Sequence, residues 1–84
     1  MKIFYSPHFL RAYKKLPKEV QHIAEEREEI FRENWKATFL ETHKLKGPFS
    51  GFWSFSINHR FRIIFEFDGD DVHFHDVGDH DIYR

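Results

Sequence analysis

The sequence predicts an α+β fold in the order β-α-α-β-β-β: a two-helix hairpin packed on a small, mainly antiparallel sheet. Two patterns carry the prediction. Apolar residues recur at helical spacing on both sides of Pro17, and residues 52–77 alternate between an aromatic and a polar set, interrupted by turn-forming residues. A chain of 84 residues makes one domain, 1–84, near the lower limit for a core built without staples. It has no cysteine, so neither a disulfide nor a thiolate metal site contributes. The 11 phenylalanines are enough to build the core instead.

Residues 2–5 form a short strand. Ser6-Pro7 then starts a helix, because serine caps the first free N–H groups and proline tolerates the first helical position. Phe9, Leu10, Tyr13 and Leu16 follow at helical spacing. Pro17 ends that helix and opens the next. There Val20, Ile23, Ala24, Ile30 and Phe31 make the apolar stripe, with Glu25, Glu26, Glu28, Glu29 and Arg32 facing water, and the helix frays near Asn34. Residues 36–50 read as irregular, anchored by Leu45 and turned at Gly47-Pro48. Strands follow at 52–57, 60–68 and 71–77, joined by turns at Asn58-His59 and Gly69-Asp70.

Alternation assigns the faces. Trp53, Phe55, Ile57, Phe61, Ile63, Phe65, Phe67, Val72 and Phe74 point to the core. Ser54, Ser56, Arg60, Arg62, Ile64, Glu66, His73, His75 and Val77 form the polar face, with Asp76 directed away from them. His8, His22 and His59 read as surface residues.

The formal net charge is -1, which argues against a broad nonspecific grip on nucleic acid. The charge is uneven, however. Lys36, Lys44, Lys46, Arg60 and Arg62 cluster against Glu41, whereas Glu66, Asp68, Asp70, Asp71, Asp76, Asp79 and Asp81 follow with no lysine or arginine between them. A local basic groove is compatible with that distribution. No apolar run approaches the ~20 residues that span a bilayer. The start, MKIFYSPHF, lacks the apolar stretch of a secretory signal, so the expected location is the cytoplasm.

Residues 43–84 carry a more specific pattern: His43-x-Leu45-Lys46-Gly47, then Gly51-Phe52-Trp53-Ser54-x-x-Ile57-Asn58, Phe61-Arg62-Ile63-Ile64-Phe65, and Val77-Gly78-x-His80-Asp81-x-Tyr83. In order and spacing this resembles the RelE/ParE toxin superfamily, in its RelE/YoeB-type branch. The resemblance implies a toxin of a type II toxin–antitoxin pair, with an antitoxin protein as partner. It further implies a ribosome-dependent endoribonuclease that cuts mRNA by attack of a ribose 2′-OH on the adjacent phosphate. The ParE branch instead poisons DNA gyrase, and an inactive module that only grips its antitoxin is a further alternative.

The resemblance assigns roles by position. Arg62 matches the strand arginine that contacts the scissile phosphate, and its planar fork suits a phosphate. The competing reading pairs it with Glu66 on the same face. His43 stands where relatives carry a proposed general base, and histidine titrates near neutral pH. His80 and Tyr83 match the C-terminal acid and the stacking or proton-donor position. Which histidine is base and which is acid stays open at this point. Lys44 and Lys46 flank the groove, and Arg60, His73 and His75 line the polar face as RNA contacts. No metal and no small-molecule cofactor is called for. The weaker metal reading places His73 and His75, at i and i+2, on one ion with His80 as third ligand.

Overall fold

The computed structural model describes residues 1–83, with side chains described through Ile82. Strand β1 (Ile3–Tyr5) is followed by helices α1 (Pro7–Lys14) and α2 (Lys18–Glu33) and by strands β2 (His43–Lys44), β3 (Trp53–Ser56), β4 (Arg62–Asp68) and β5 (Asp71–Gly78). They form one five-stranded sheet in the order β1-β5-β4-β3-β2. β1 runs parallel to β5 and every other pairing is antiparallel.

The helix boundaries follow local chemistry. The Ser6 hydroxyl accepts from the Phe9 N–H at 2.9 Å, and Pro7 occupies the first turn, where its missing N–H costs nothing. Helix α1 stops before Pro17, and α2 begins directly after it. Asn34, with extended backbone, closes α2. The β3–β4 turn is closed by the Asn58 carboxamide, which accepts from the N–H groups of Arg60 (2.9 Å) and Phe61 (2.8 Å).

The core lies between the helices and one face of the sheet. Phe31 of α2 is fully buried and meets strands β3, β4 and β5 at once. Its ring centroid is 4.5 Å from that of Phe55, 5.0 Å from Phe65 and 5.9 Å from Phe74. Phe9 of α1 adds a contact to Phe74 at 5.4 Å. These contacts hold the strands by their aromatic face and leave the opposite face for other work.

Three expectations change. Residues 36–50 are less irregular than the sequence suggested: they contain the edge strand β2 and 3-10 turns at Thr38–Leu40 and Gly47–Phe49. Their anchor is Leu40, fully buried, rather than the half-buried Leu45. Next, β4 pairs Ile64 with Asp76 but Phe65 with Phe74, so His75 is an extra residue in β5. This bulge inverts the alternation beyond it. Val77 therefore turns into the core, 3% exposed, and Asp76 joins the polar face, the reverse of both assignments. Finally, much of the polar face is covered. Ser54, Ser56 and Ile64 are buried. The C-terminal turn His80–Tyr83 folds back so closely that a Cβ at position 78 would collide with the Ile82 side chain, and Gly78 makes that approach feasible.

Candidate functional site

Cross-strand register builds the site in rows. His43, Ser54, Ile64 and Asp76 stand side by side on one face, and the next row on that face holds Ser56, Arg62 and Gly78. Strands lie about 4.8 Å apart, and alternate residues along a strand about 7 Å. His43 and Arg62 therefore flank the buried Ser54 and Ser56 on one face, two strands and one row apart. The two residues that the sequence named as candidates for one site thus stand on the same face of the sheet.

Each group is oriented by a specific hydrogen bond. The His43 Nδ1 lies 2.8 Å from the Glu41 carbonyl oxygen. A carbonyl only accepts, so Nδ1 carries the proton and Nε2 of the neutral ring keeps its lone pair. The ring itself is exposed on the sheet's edge strand. Arg62 Nη1 donates to the Ser56 hydroxyl at 2.7 Å, and that hydroxyl donates to Glu41 Oε1 at 3.1 Å. Glu66, the competing partner for Arg62, instead receives His75 Nε2 at 2.9 Å. Among the described residues no carboxylate lies within 4.0 Å of the Arg62 guanidinium. Its remaining N–H groups are open to an incoming anion.

The other predicted residues are distributed unevenly. His80 is exposed at the start of the C-terminal turn, two residues beyond Gly78. The Tyr83 side chain lies outside the described residues. Arg60 reaches Asp79 at 3.7 Å and stacks on Phe61, tying the β3–β4 turn to the base of the C-terminal turn. His73 sits on Phe4 at 4.9 Å with its Nε2 3.1 Å from Asp68, so it is already engaged. Lys46 is exposed next to the edge strand. Lys44 is not brought together with His43: it pairs with Trp53 in register, on the helix side of the sheet, with its ammonium 5.5 Å from that ring. Histidines 73 and 75 direct their Nε2 atoms to different carboxylates. Among the described residues no group of three or more histidines and carboxylates is placed to hold a metal ion.

Beside these residues lies a cleft of about 230 Å³ lined by Phe49, Phe52, Ile64, His75, Asp76 and Ile82. His8, which the sequence placed on the surface, reaches its rim from the first turn of α1, with Nε2 3.1 Å from Asp76 Oδ1. No sequence signal marks this pair, because the bulge that turns Asp76 toward it depends on strand pairing. Glu41 and Ser56 were likewise missed as site residues. The available hints were an acid next to the HxLKG segment and a serine on the same strand face as Arg62.

Ser54, at the centre of the site face, has no solvent exposure, and its hydroxyl finds no hydrogen-bond partner among the described residues. Such a group costs about 1–3 kcal/mol relative to one left in water. Ser54→Ala is expected to raise stability by about 1 kcal/mol, hence Tm by about 4–8 °C in a thermal melt. A lower Tm would show that the hydroxyl is satisfied in solution.

No family model matches the sequence. No curated protein matches it either. Solved structures do. The YoeB/ParE toxin from Agrobacterium tumefaciens superposes with a TM-score of 0.78 at 16% identity, covering 95% of this chain and 99% of that one. YafQ from E. coli gives 0.81 at 15% identity, covering 98% and 96%. A chain of the YoeB-YefM complex from Staphylococcus aureus gives 0.76 at 23% identity, covering 95% and 97%. The chain has the RelE/ParE toxin fold. In this RelE-like fold the sheet face opposite the helices carries His43 and Arg62, and the C-terminal turn with His80 closes over the end of β5.

Proposed function

We propose that this protein is the toxin of a type II toxin–antitoxin pair and cleaves mRNA on the ribosome. One observation carries the reading: a His43 ring held through Nδ1 by the Glu41 carbonyl and an Arg62 guanidinium with no carboxylate partner among the described residues share one face. In this reading His43 Nε2 accepts the proton of a ribose 2′-OH. The 2′ oxygen bonds to the adjacent phosphorus, Arg62 stabilises the charge gathering on the phosphoryl oxygens, and the P–O5′ bond breaks. His80 donates the proton that the leaving 5′ oxygen takes up, and Tyr83 stacks on a neighbouring base. The residues do this by proton transfer and charge alone, with no metal step. Lys46 holds a flanking phosphate, Arg60 keeps the C-terminal turn in place, and His75 lines the cleft beside the scissile phosphate.

The antitoxin partner is supported by neighbours that are themselves toxin–antitoxin complexes, YoeB-YefM and RelBE2 from Mycobacterium tuberculosis. A groove of about 270 Å³ between the helices, on the side away from the site, offers it an apolar floor of Phe9 and Leu10. Its rim is made by Tyr5 donating to Glu28 at 2.6 Å and Tyr13 donating to Glu25 at 3.2 Å. Burial first, and then these carboxylates, push both phenols up to about 12, so they remain neutral donors. Among the described residues no helix is long and apolar enough to cross a membrane, and the reading places the protein in the cytoplasm with the ribosomes.

The test is purified protein added to a bacterial translation reaction. Ribosome-bound mRNA should be cut within codons, leaving 2′,3′-cyclic phosphate and 5′-hydroxyl ends. Intact mRNA with inhibited gyrase supercoiling would support the gyrase-directed alternative instead. Intact mRNA with unaffected gyrase and tight antitoxin binding would reduce the protein to a binding module.

A further inference from the structure

Glu41 is the only residue other than glycine with positive φ among the described residues, at φ 52 and ψ 40. This left-handed conformation is disfavoured for any residue that carries a Cβ, which crowds the backbone there, and persists where the surroundings hold it. What surrounds Glu41 is the site. Its N–H closes the Thr38–Leu40 turn by donating to the Thr38 carbonyl at 3.1 Å, and the chain then reverses into β2. Its own carbonyl accepts His43 Nδ1, and its carboxylate accepts the Ser56 hydroxyl that in turn receives Arg62 Nη1. One exposed residue thus touches the supports of both groups assigned to the chemistry.

We propose that Glu41 is the positioning residue of this site: its backbone fixes the His43 tautomer, and its carboxylate, acting through Ser56, aims Arg62. The inference rests on the nuclease reading for its consequence, but not for its geometry. The intervening serine has a physical purpose. A carboxylate paired directly with Arg62 would compete with the phosphate for the same guanidinium. Placed one hydroxyl away, at 3.1 Å from Ser56 and with Ser56 2.7 Å from Nη1, it orients the hydroxyl without occupying the fork. Ser56 is only 3% exposed, so the middle of this relay is shielded from solvent while Glu41 reaches it from the surface.

The test compares Glu41→Gly and Glu41→Gln with the parent. Glycine accepts positive φ, so the turn and the His43 bond are kept while the carboxylate is lost. Glutamine keeps an acceptor oxygen at nearly the same place. Glu41→Gly is expected to melt no lower than the parent and to lower kcat for mRNA cleavage about 10²-fold with little change in KM. Glu41→Gln is expected to recover most of that loss. Nitrogen-15 NMR should show His43 protonated at Nδ1 in all three proteins, and the Arg62 guanidinium ordered in the parent and in Glu41→Gln but averaged in Glu41→Gly. Parent-like kcat in Glu41→Gly, or a glutamine variant as impaired as the glycine one, overturns the relay. A His43 ring protonated at Nε2 overturns the tautomer. If the parent cleaves no RNA, the nuclease reading fails by itself. The Arg62 spectra then still decide, because a guanidinium equally ordered in all three proteins removes the positioning role.

Discussion

Arg62→Ala should lower the single-turnover rate of mRNA cleavage about 10²–10³-fold while the protein stays folded. The size follows from the charge it meets. A phosphorane gathers negative charge on its nonbridging oxygens, and a fixed guanidinium stabilises that charge more than it does the ground-state phosphate. The structural loss is small by comparison. Arg62 is half-exposed at the start of β4, and the change removes one hydrogen bond, to Ser56, while the Ser56–Glu41 bond survives. The melting curve should therefore move little. Arg62→Lys should restore only part of the rate, because an ammonium supplies a charge without the planar pair of donors. Cleavage by Arg62→Ala at the parent rate would remove Arg62 from the site, whatever the protein's activity.

The largest effect on stability is expected at Phe31. Phe31→Ala should cost about 3–5 kcal/mol, from lost burial plus the cavity left behind. A domain of this length holds on the order of 10 kcal/mol in all. The expected fall in Tm is therefore on the order of 20 °C, read by circular dichroism. The reason is position: the Phe31 ring rests on Phe55, Phe65 and Phe74, one from each of β3, β4 and β5, and has no solvent exposure. Phe39 is the control. It is 53% exposed and touches Arg27 through its ring face, so Phe39→Ala should cost less than about 1 kcal/mol. If the two variants melted alike, α2 would not be docked on the sheet as described.

Much of this arrangement could be read before the structure. The Ser6 cap, the break at Pro17 and the alternation through β3 and β4 are local, and local patterns survive folding because they act between neighbours in the chain. The same alternation put Ser54, Ser56 and Arg62 on one face. The reading failed first at His75. One inserted residue changes which side Asp76 and Val77 face, and nothing in a period-2 pattern reveals an insertion before the partner strand is known. It failed again at Lys44, where a two-residue edge strand sets the face and is too short to show any period.

The site divides along the same line. His43, Arg62 and His80 were candidates by spacing and resemblance, and the placement of His43 and Arg62 on one sheet face follows from the register of β2 to β3 and β3 to β4. By itself the sequence determined the two helices, the strands from residue 52 onward, the aromatic core face and the residues able to do acid–base and phosphate chemistry. Only the tertiary structure decided that Arg62 rests on Ser56 rather than Glu66, that Glu41 supports both His43 and Ser56, and that His8 meets Asp76. Only the last of those contacts joins segments far apart in the chain; the others span 2, 6 and 15 residues and still depend on strand pairing. Their geometry depends on how the sheet, its bulge and its covering turns pack together, which no local periodicity encodes.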